Sequence, residues 1–344
     1  MIGKITCLIV ICSYCSMATA QKTRIYYDYN WNPSSQELAF YFGELEKNDT
    51  GWFRADYSAK SGQLLKHGFY KDASCTTKHG LFEYFFGTGE ISGRELYHNN
   101  QKTGTHLSVY PNKIISDSFQ FKTDIPYGLC SSWYPSGNPR TEMQLDTLGN
   151  GSGVVVGFFD NGVVSFKGKL AKGLRKTGNW FYYHPNGQRA SVLQYGTADS
   201  LLTEAKPQIK YDIYEYAYYD STVEYANAIC YDTNGVVQTH CEISSNKPEY
   251  SGGIKAWVNY LSGQLPDIMN KPGNPKKTTI YIAYFMVNPD GNPSGIMLDN
   301  TVNKGFDDEI TGVFKRSKKW KPVLHNNRII PFLNKQSLTL SYSF

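Results

Sequence analysis

Apolar and polar positions divide the chain into three stretches. Residues 5–11 form a short apolar run behind Lys4. From about residue 50 to 243, small apolar and aromatic clusters alternate with Gly-, Pro- and Asn-rich turns, a pattern that predicts many short strands. From Pro248 the periodicity changes. Ile254, Trp257, Val258 and Leu261 recur at helical spacing behind a candidate cap at Ser251, and a Pro/Gly-rich loop, QLPDIMNKPGNPKK, follows. TTIYIAYFMV (278–287) reads as a strand, followed by an Asn-Pro-Asp-Gly turn and a shorter strand around Gly295–Asp299. Phe306, Ile310, Val313 and Phe314 then share a second helical face, and SLTLSYSF (337–344) alternates strictly, as a half-buried terminal strand does.

The middle stretch repeats. Two glycines stand nine residues apart in GLFEYFFGTG (80–89), GLCSSWYPSG (128–137), GVVVGFFDNG (153–162) and GNWFYYHPNG (178–187), and GTHLSVYPNK from Gly104 is a weaker copy. The opening glycines at 80, 104, 128, 153 and 178 give a pitch of 24 to 25 residues, which signals stacked supersecondary units. Gly137, Gly162 and Gly187 close turns whose left-handed backbone suits glycine, so each unit predicts one β-hairpin. The fifth residue after the opening glycine is Trp133, Phe158 or Tyr183 in the clearest copies, and these are expected to form one buried aromatic row. Residues 196–225 break the period, as an insertion or a worn copy.

Composition sharpens this picture. The chain has 344 residues, 15% of them aromatic, with 27 tyrosines and 31 glycines, which favours strands and tight turns over helical bundles. The formal charge is +5, and residues 245–344 carry 13 Lys/Arg against 7 Asp/Glu, net +6. Lys4, the apolar run and Ala18-Thr19-Ala20 read as a signal peptide ending before Gln21. The run is too short for a spanning helix, which needs roughly 20 apolar residues. Cys75, Cys130, Cys230 and Cys241 lie beyond that signal and allow three pairings in an oxidising compartment. Cys230 and Cys241, flanking the turn Asp232–Gly235, are the favoured pair.

The repeat resembles the bacterial MORN type over about residues 50–243, which implies a scaffold or binding surface rather than a chemistry. Residues 248–344 resemble the TonB C-terminal domain through PEYSGGIKAWVNYL, FMVNPDGNPSG, GFDDEITGVFKRSKKWKP and the closing apolar strand. The fold class expected is therefore mainly β with a small α+β C-terminal domain. A stacked hairpin sheet (50–243) follows a signal (1–20) and a lead-in (21–49), and precedes a helix-hairpin-helix-strand module (248–344). In the TonB family this module takes a short segment of an outer-membrane transporter by strand addition. The resemblance thus implies a binding edge at Gln336, Ser337, Leu338, Thr339, Leu340, Ser341 and Tyr342, with Trp257, Trp320 and Pro322 as structural residues.

No catalytic constellation emerges. The seven histidines show no metal-ligand spacing and no CxxC partner, and there is no G-x-S-x-G elbow or phosphate loop. The function expected is a non-enzymatic, exported interaction protein of the periplasm or outer envelope of a Gram-negative bacterium. It needs no cofactor, metal or nucleic acid and touches the membrane peripherally at most; its partners are envelope proteins, with an outer-membrane transporter as one candidate. Two alternatives stay open: an energy transducer whose N-terminal segment stays uncut as an anchor, and an antitoxin-like or surface scaffold protein. A transducer also needs a long Pro-rich spacer, and repeats stand in its place.

Overall fold

A computed structural model describes residues 22–196, 225–243, 247–271, 279–318 and 320–340. The expected signal, Ser341 and Tyr342 lie outside the described residues. The first strands are β1 (Thr23–Tyr27), β2 (Tyr41–Asn48), β3 (Gly51–Ser58), β4 (Leu64–Tyr70) and β5 (Lys78–Phe85). Next come β6 (Ile91–His98), β7 (Gln101–Val109), β8 (Ile115–Lys122), β9 (Ile125–Trp133) and β10 (Pro139–Leu145). The series ends with β11 (Gly153–Phe158), β12 (Val164–Ala171), β13 (Arg175–Tyr183), β14 (Arg189–Tyr195) and β15 (Tyr225–Cys230). All fifteen form one antiparallel sheet in strict sequence order. The lead-in 21–49 is thus part of the sheet, since β1 and β2 lie within it. β14 pairs directly with β15, so the stretch that breaks the period adds no described strand to the sheet.

Each repeat is closed by the same device. In the turn after β9, Gly137 N–H donates to Tyr134 O and Tyr134 N–H to Asn138 O, with Gly137 left-handed at φ 91°. This is the three-residue hairpin loop, which needs an αL residue at its last position. Gly162 and Gly187 repeat it at φ 80° and 85°. Neighbouring turns are then tied together: Asn112 Nδ2 donates to Pro135 O at 2.7 Å, Asn138 Nδ2 to Asp160 O at 2.7 Å, and Asn186 Nδ2 to Thr233 O at 2.8 Å. The last tie spans 47 residues where the others span 23 and 22, because the long connection from β14 to β15 intervenes. One residue after each turn has no partner across the hairpin: Ser92, Ser116, Arg140, Ser165 and Ala190 are β-bulges at the repeat pitch.

Strand alternation gives the sheet two unlike faces. The inner face carries the second and fourth residues after each opening glycine. Cys130, Val155, Trp180 and Tyr182 are all buried there beside Phe119, Phe166 and Leu193. Glycine makes this packing fit: a Cβ on Gly168 would stand 2.2 Å from the Trp180 ring. The outer face carries the fifth residues, so the expected buried row is displaced. Trp133, Phe158 and Tyr183 do line one face, but they are only half-buried, and the enclosed residues beside them are Tyr134, Phe159 and His184. An odd position along a strand points away from the even ones, and the even ones hold the core.

The C-terminal module comprises β16 (Glu249–Tyr250), α1 (Gly253–Met269), β17 (Thr279–Val287), β18 (Pro293–Leu298), α2 (Lys304–Lys315), β19 (Trp320–Lys321), β20 (Val323–Leu324), β21 (Ile329–Ile330) and β22 (Phe332–Leu340). Three strands form a sheet in the order β18-β17-β22, while β16 pairs with β19 and β20 with β21. The cap of α1 is Gly252, left-handed at φ 93° with no side-chain bond, rather than Ser251. The helix runs through Pro266 into the stretch read as loop, because Leu265 and Ile268 join the core. Ile254 and Val258 instead stay exposed. α2 starts at Asn303, whose side chain accepts the Phe306 N–H, and buries Phe306, Ile310, Val313 and Phe314 as its periodicity predicts. Trp257 and Trp320 meet at 5.2 Å in this core, and Phe285 lies 5.2 Å from Trp320. Pro322 separates β19 from β20.

Candidate functional site

Three arrangements could recognise or hold something. The first is a latch between the module and the sheet. β20 and β21 are joined by His325-Asn326-Asn327-Arg328, with His325 N–H donating to Arg328 O and both asparagines left-handed at φ 50° and 64°. Asparagine tolerates that conformation, and a two-residue turn with positive φ at both central positions matches strand twist. The turn is inserted against the inner face of the last repeats. Arg328 Nη1 donates to the carbonyl and hydroxyl of bulge residue Ser165 and to Tyr183 O, with its guanidinium 5.1 Å from the Tyr182 ring. Asn327 Nδ2 donates to the carbonyl of bulge residue Ala190 and to Tyr231 O, and Ser191 Oγ donates to Asn326 O at 2.9 Å. The Ala190 carbonyl also accepts the Tyr231 N–H, so at this bulge the latch adds a second donor to a carbonyl already paired across the sheet.

A disulfide supports this socket. Cys230 and Cys241 are bonded, with Cα atoms 5.5 Å apart, while Cys75 and Cys130 are free thiols. The bond ties β15 to the segment that Asn327 grips: Asn327 N–H donates to Glu242 O at 2.7 Å, and Asn327 Nδ2 to Gln238 Oε1 at 2.8 Å. Burial, with the charges of Arg328 and Lys176 adding to it, holds the His325 imidazole well below its ordinary pKa, so it sits neutral in the socket.

The second arrangement is the edge of β22 that no described strand pairs with. Ile282 directs its N–H and C=O toward Asp299, on the β18 side. By antiparallel alternation Tyr281 and Ala283 then bond to β22, opposite Leu338 and Gln336, and the outward-pointing backbone groups of β22 belong to Ser337 and Thr339. Leu338 and Leu340 are buried under the helices, while Ser337 and Thr339 are exposed. This edge covers Gln336, Ser337, Leu338, Thr339 and Leu340 of the sequence-predicted set.

A polar cage on the inner face of the early repeats is the third. Glu95 accepts from Tyr97 Oη at 2.6 Å, Tyr84 Oη at 2.7 Å and Lys102 Nζ at 3.0 Å, with His106 Nδ1 at 3.5 Å. Burial alone would raise its pKa, but His106, Lys102 and the two phenols outweigh it and hold the carboxylate ionised, well below the usual range. Burial and that carboxylate push both phenols up. Every partner is engaged, so the cage is a cross-strand tie between β5, β6 and β7. Among the described residues no group of three or more His, Cys, Asp or Glu could hold a metal ion.

Sequence reasoning missed the latch, although VLHNNRII carried its signal: two asparagines between short apolar pairs. A cleft of about 240 Å³ lies beside it, lined by Phe159, Asp160, Asn161 and Pro185 of the sheet and by Met286, Asn288, Pro289, Ser294 and Pro331 of the module. No curated protein matches the chain. Residues 176–195, which are most of β13, the Pro185-Asn186-Gly187 turn and β14, match the MORN repeat variant family, so at least this hairpin of the stacked sheet is a MORN-type repeat.

Proposed function

We propose that the chain is an exported interaction protein of the cell envelope, in which a TonB-like C-terminal module accepts a partner strand on the edge of β22 while the repeat sheet serves as scaffold. The observation that carries this reading is the edge itself: β22 is paired with β17 on one side, and Ser337 and Thr339 direct backbone groups outward on the other. A partner segment pairing there would gain main-chain bonds with little demand on side chains. The order of α1, the β17–β18 hairpin, α2 and β22 agrees with the TonB resemblance read from the sequence. Export rests on the N-terminal signal pattern.

The test is a pull-down from solubilised envelope with wild type, Thr339→Pro and Thr339→Ala, after circular dichroism shows all three folded. Proline removes the outward donor and spares the buried Leu338 and Leu340. The proline variant alone is expected to lose its partners, and equal recovery by all three would move the binding surface off this edge.

A further inference from the structure

The outer face of the later repeats is ordered in a way that the strand-addition reading does not use. Along β9, β11 and β13 it presents the half-exposed rings of Trp133, Phe158 and Tyr183, with Phe181 beside Tyr183 on β13. The strands between them are polar: Glu142 and Gln144 project from β10, Lys167 and Lys169 from β12, and Arg189 from β14, all exposed. Apolar neighbours on the same face are open to solvent as well, with Leu129 at 62% and Val154 at 47% exposure. Trp133, Phe158 and Tyr183 belong to none of the hydrophobic core clusters of the described residues. Packing within those cores is therefore not the reason they recur.

Each repeat advances the sheet by two strands, so successive rings stand about 9.5 Å apart. That is too wide for consecutive bases of a single-stranded nucleic acid, which stack in close succession. It suits a polymer that returns the same flat, C–H-rich face at twice the inter-strand spacing, as an extended β-1,4-linked glycan does with every second sugar ring. The polar strands between the rings then meet hydroxyl groups. Charge decides the kind of glycan. Lys167, Lys169 and Arg189 stand against Glu142, and Lys167 Nζ lies 5.8 Å from both the Phe181 and Tyr183 rings, beside the stacking row. We propose that the outer face of β9–β14 binds a linear, acidic β-1,4-linked polysaccharide, with alternate sugar rings on Trp133, Phe158 and Tyr183 and carboxylates facing Lys167, Lys169 and Arg189. The surface belongs to the repeats alone, so it stands or falls independently of the β22 edge.

The full chain would be titrated, following tryptophan fluorescence and calorimetry, with a β-1,4-mannuronate hexamer, chitohexaose, maltohexaose and oligothymidylate. The acidic hexamer is expected to bind, chitohexaose to bind about tenfold more weakly, and the α-linked and nucleic-acid probes not at all. Phe158→Ala and Tyr183→Ala are each expected to weaken the acidic hexamer by about tenfold, ~1.4 kcal/mol, while Phe158→Tyr retains it. Lys167→Glu should lower affinity for the acidic hexamer and leave chitohexaose unchanged. Thermal midpoints and circular dichroism confirm that each variant is folded, and Phe158→Tyr keeps the test decisive if an alanine variant is not. Failure of both β-1,4 oligomers to bind, equal affinity for the two, binding of maltohexaose or oligothymidylate as tight as the acidic hexamer, or unchanged affinity in the folded ring variants would each overturn the proposal.

Discussion

Asp299 shows how one buried side chain can set a pH dependence. It is 9% exposed, at the seam where its carbonyl accepts the Thr88 N–H and its carboxylate accepts the Ile282 N–H. Burial raises its pKa from 3.8 to about 6, against the smaller opposing pull of that N–H. Between these values the folded chain keeps a proton that the unfolded chain has released, so stability falls as pH rises through this window and levels off above it. His325 acts in the opposite direction. Its pKa lies well below 6.5, so the unfolded chain takes up the proton first and stability is lost as pH falls below about 6.5. The two slopes partly cancel in the wild type, and a variant separates them. Asp299→Asn keeps an acceptor for Ile282 and cannot ionise. It should be more stable than wild type by up to about 3 kcal/mol at pH 7.5, from the rise of the Asp299 pKa to about 6, with the gain vanishing below about pH 4. Urea titrations at several pH values measure this, and a pH-independent difference would remove Asp299 from the account.

Among the elements, the hairpins were legible because each carries its turn residues and a fixed pitch. The parity of their faces was not. In a strand such as Trp180-Phe181-Tyr182-Tyr183, large rings occupy both faces, so a period of two leaves no mark on the sequence. Burial alone distinguishes Trp180 and Tyr182 from Phe181 and Tyr183. β1 and β2 were missed because their copies lack the paired glycines, and the far end of α1 because Pro266 reads as a breaker, whereas burial of Ile268 and packing of Leu265 carry the helix through it. α2 was plain, since the face its periodicity marks, Phe306, Ile310, Val313 and Phe314, is the face it buries. The β20–β21 latch was hidden by its length of two residues per strand. Its socket yields a prediction of its own. The Cys230–Cys241 bond confines the segment from Gln238 to Glu242 that Asn327 holds, so reduction should loosen that segment and then the latch. Hydrogen exchange by mass spectrometry should show peptides covering 238–242 and 323–330 exchanging faster after mild reduction, with the early repeats unchanged. Equal protection before and after would mean that the socket holds without the bond.

At the scale of the whole molecule, two bodies with separate cores share a buried seam. The module has its own core around Phe285, Ile310 and Trp320, and the sheet has another around Trp180 and Leu193. A smaller cluster joins them, Phe159 of the sheet with Val323 and Ile330 of the latch. Arg328 is the polar centre of that seam, 2% exposed and bonded to Ser165 and Tyr183. Removing it strands acceptors in a buried site and loses charge-assisted bonds, at a cost of about 2–3 kcal/mol. That cost falls on the seam and on neither core. Two bodies coupled strongly enough unfold together, whereas weaker coupling lets the less stable one melt first. Wild-type urea unfolding is expected to be a single transition, and Arg328→Ala should leave both cores folded in water and split it into two steps. Exchange on peptides from α1, β17 and α2 would report one step and exchange on peptides from β9–β14 the other. Arg328→Lys keeps the charge but loses the planar guanidinium that lies 5.1 Å from the Tyr182 ring, and should fall between the two. A single transition in Arg328→Ala, merely shifted to lower urea, would show that the apolar contact of Phe159 with Val323 and Ile330 carries the coupling.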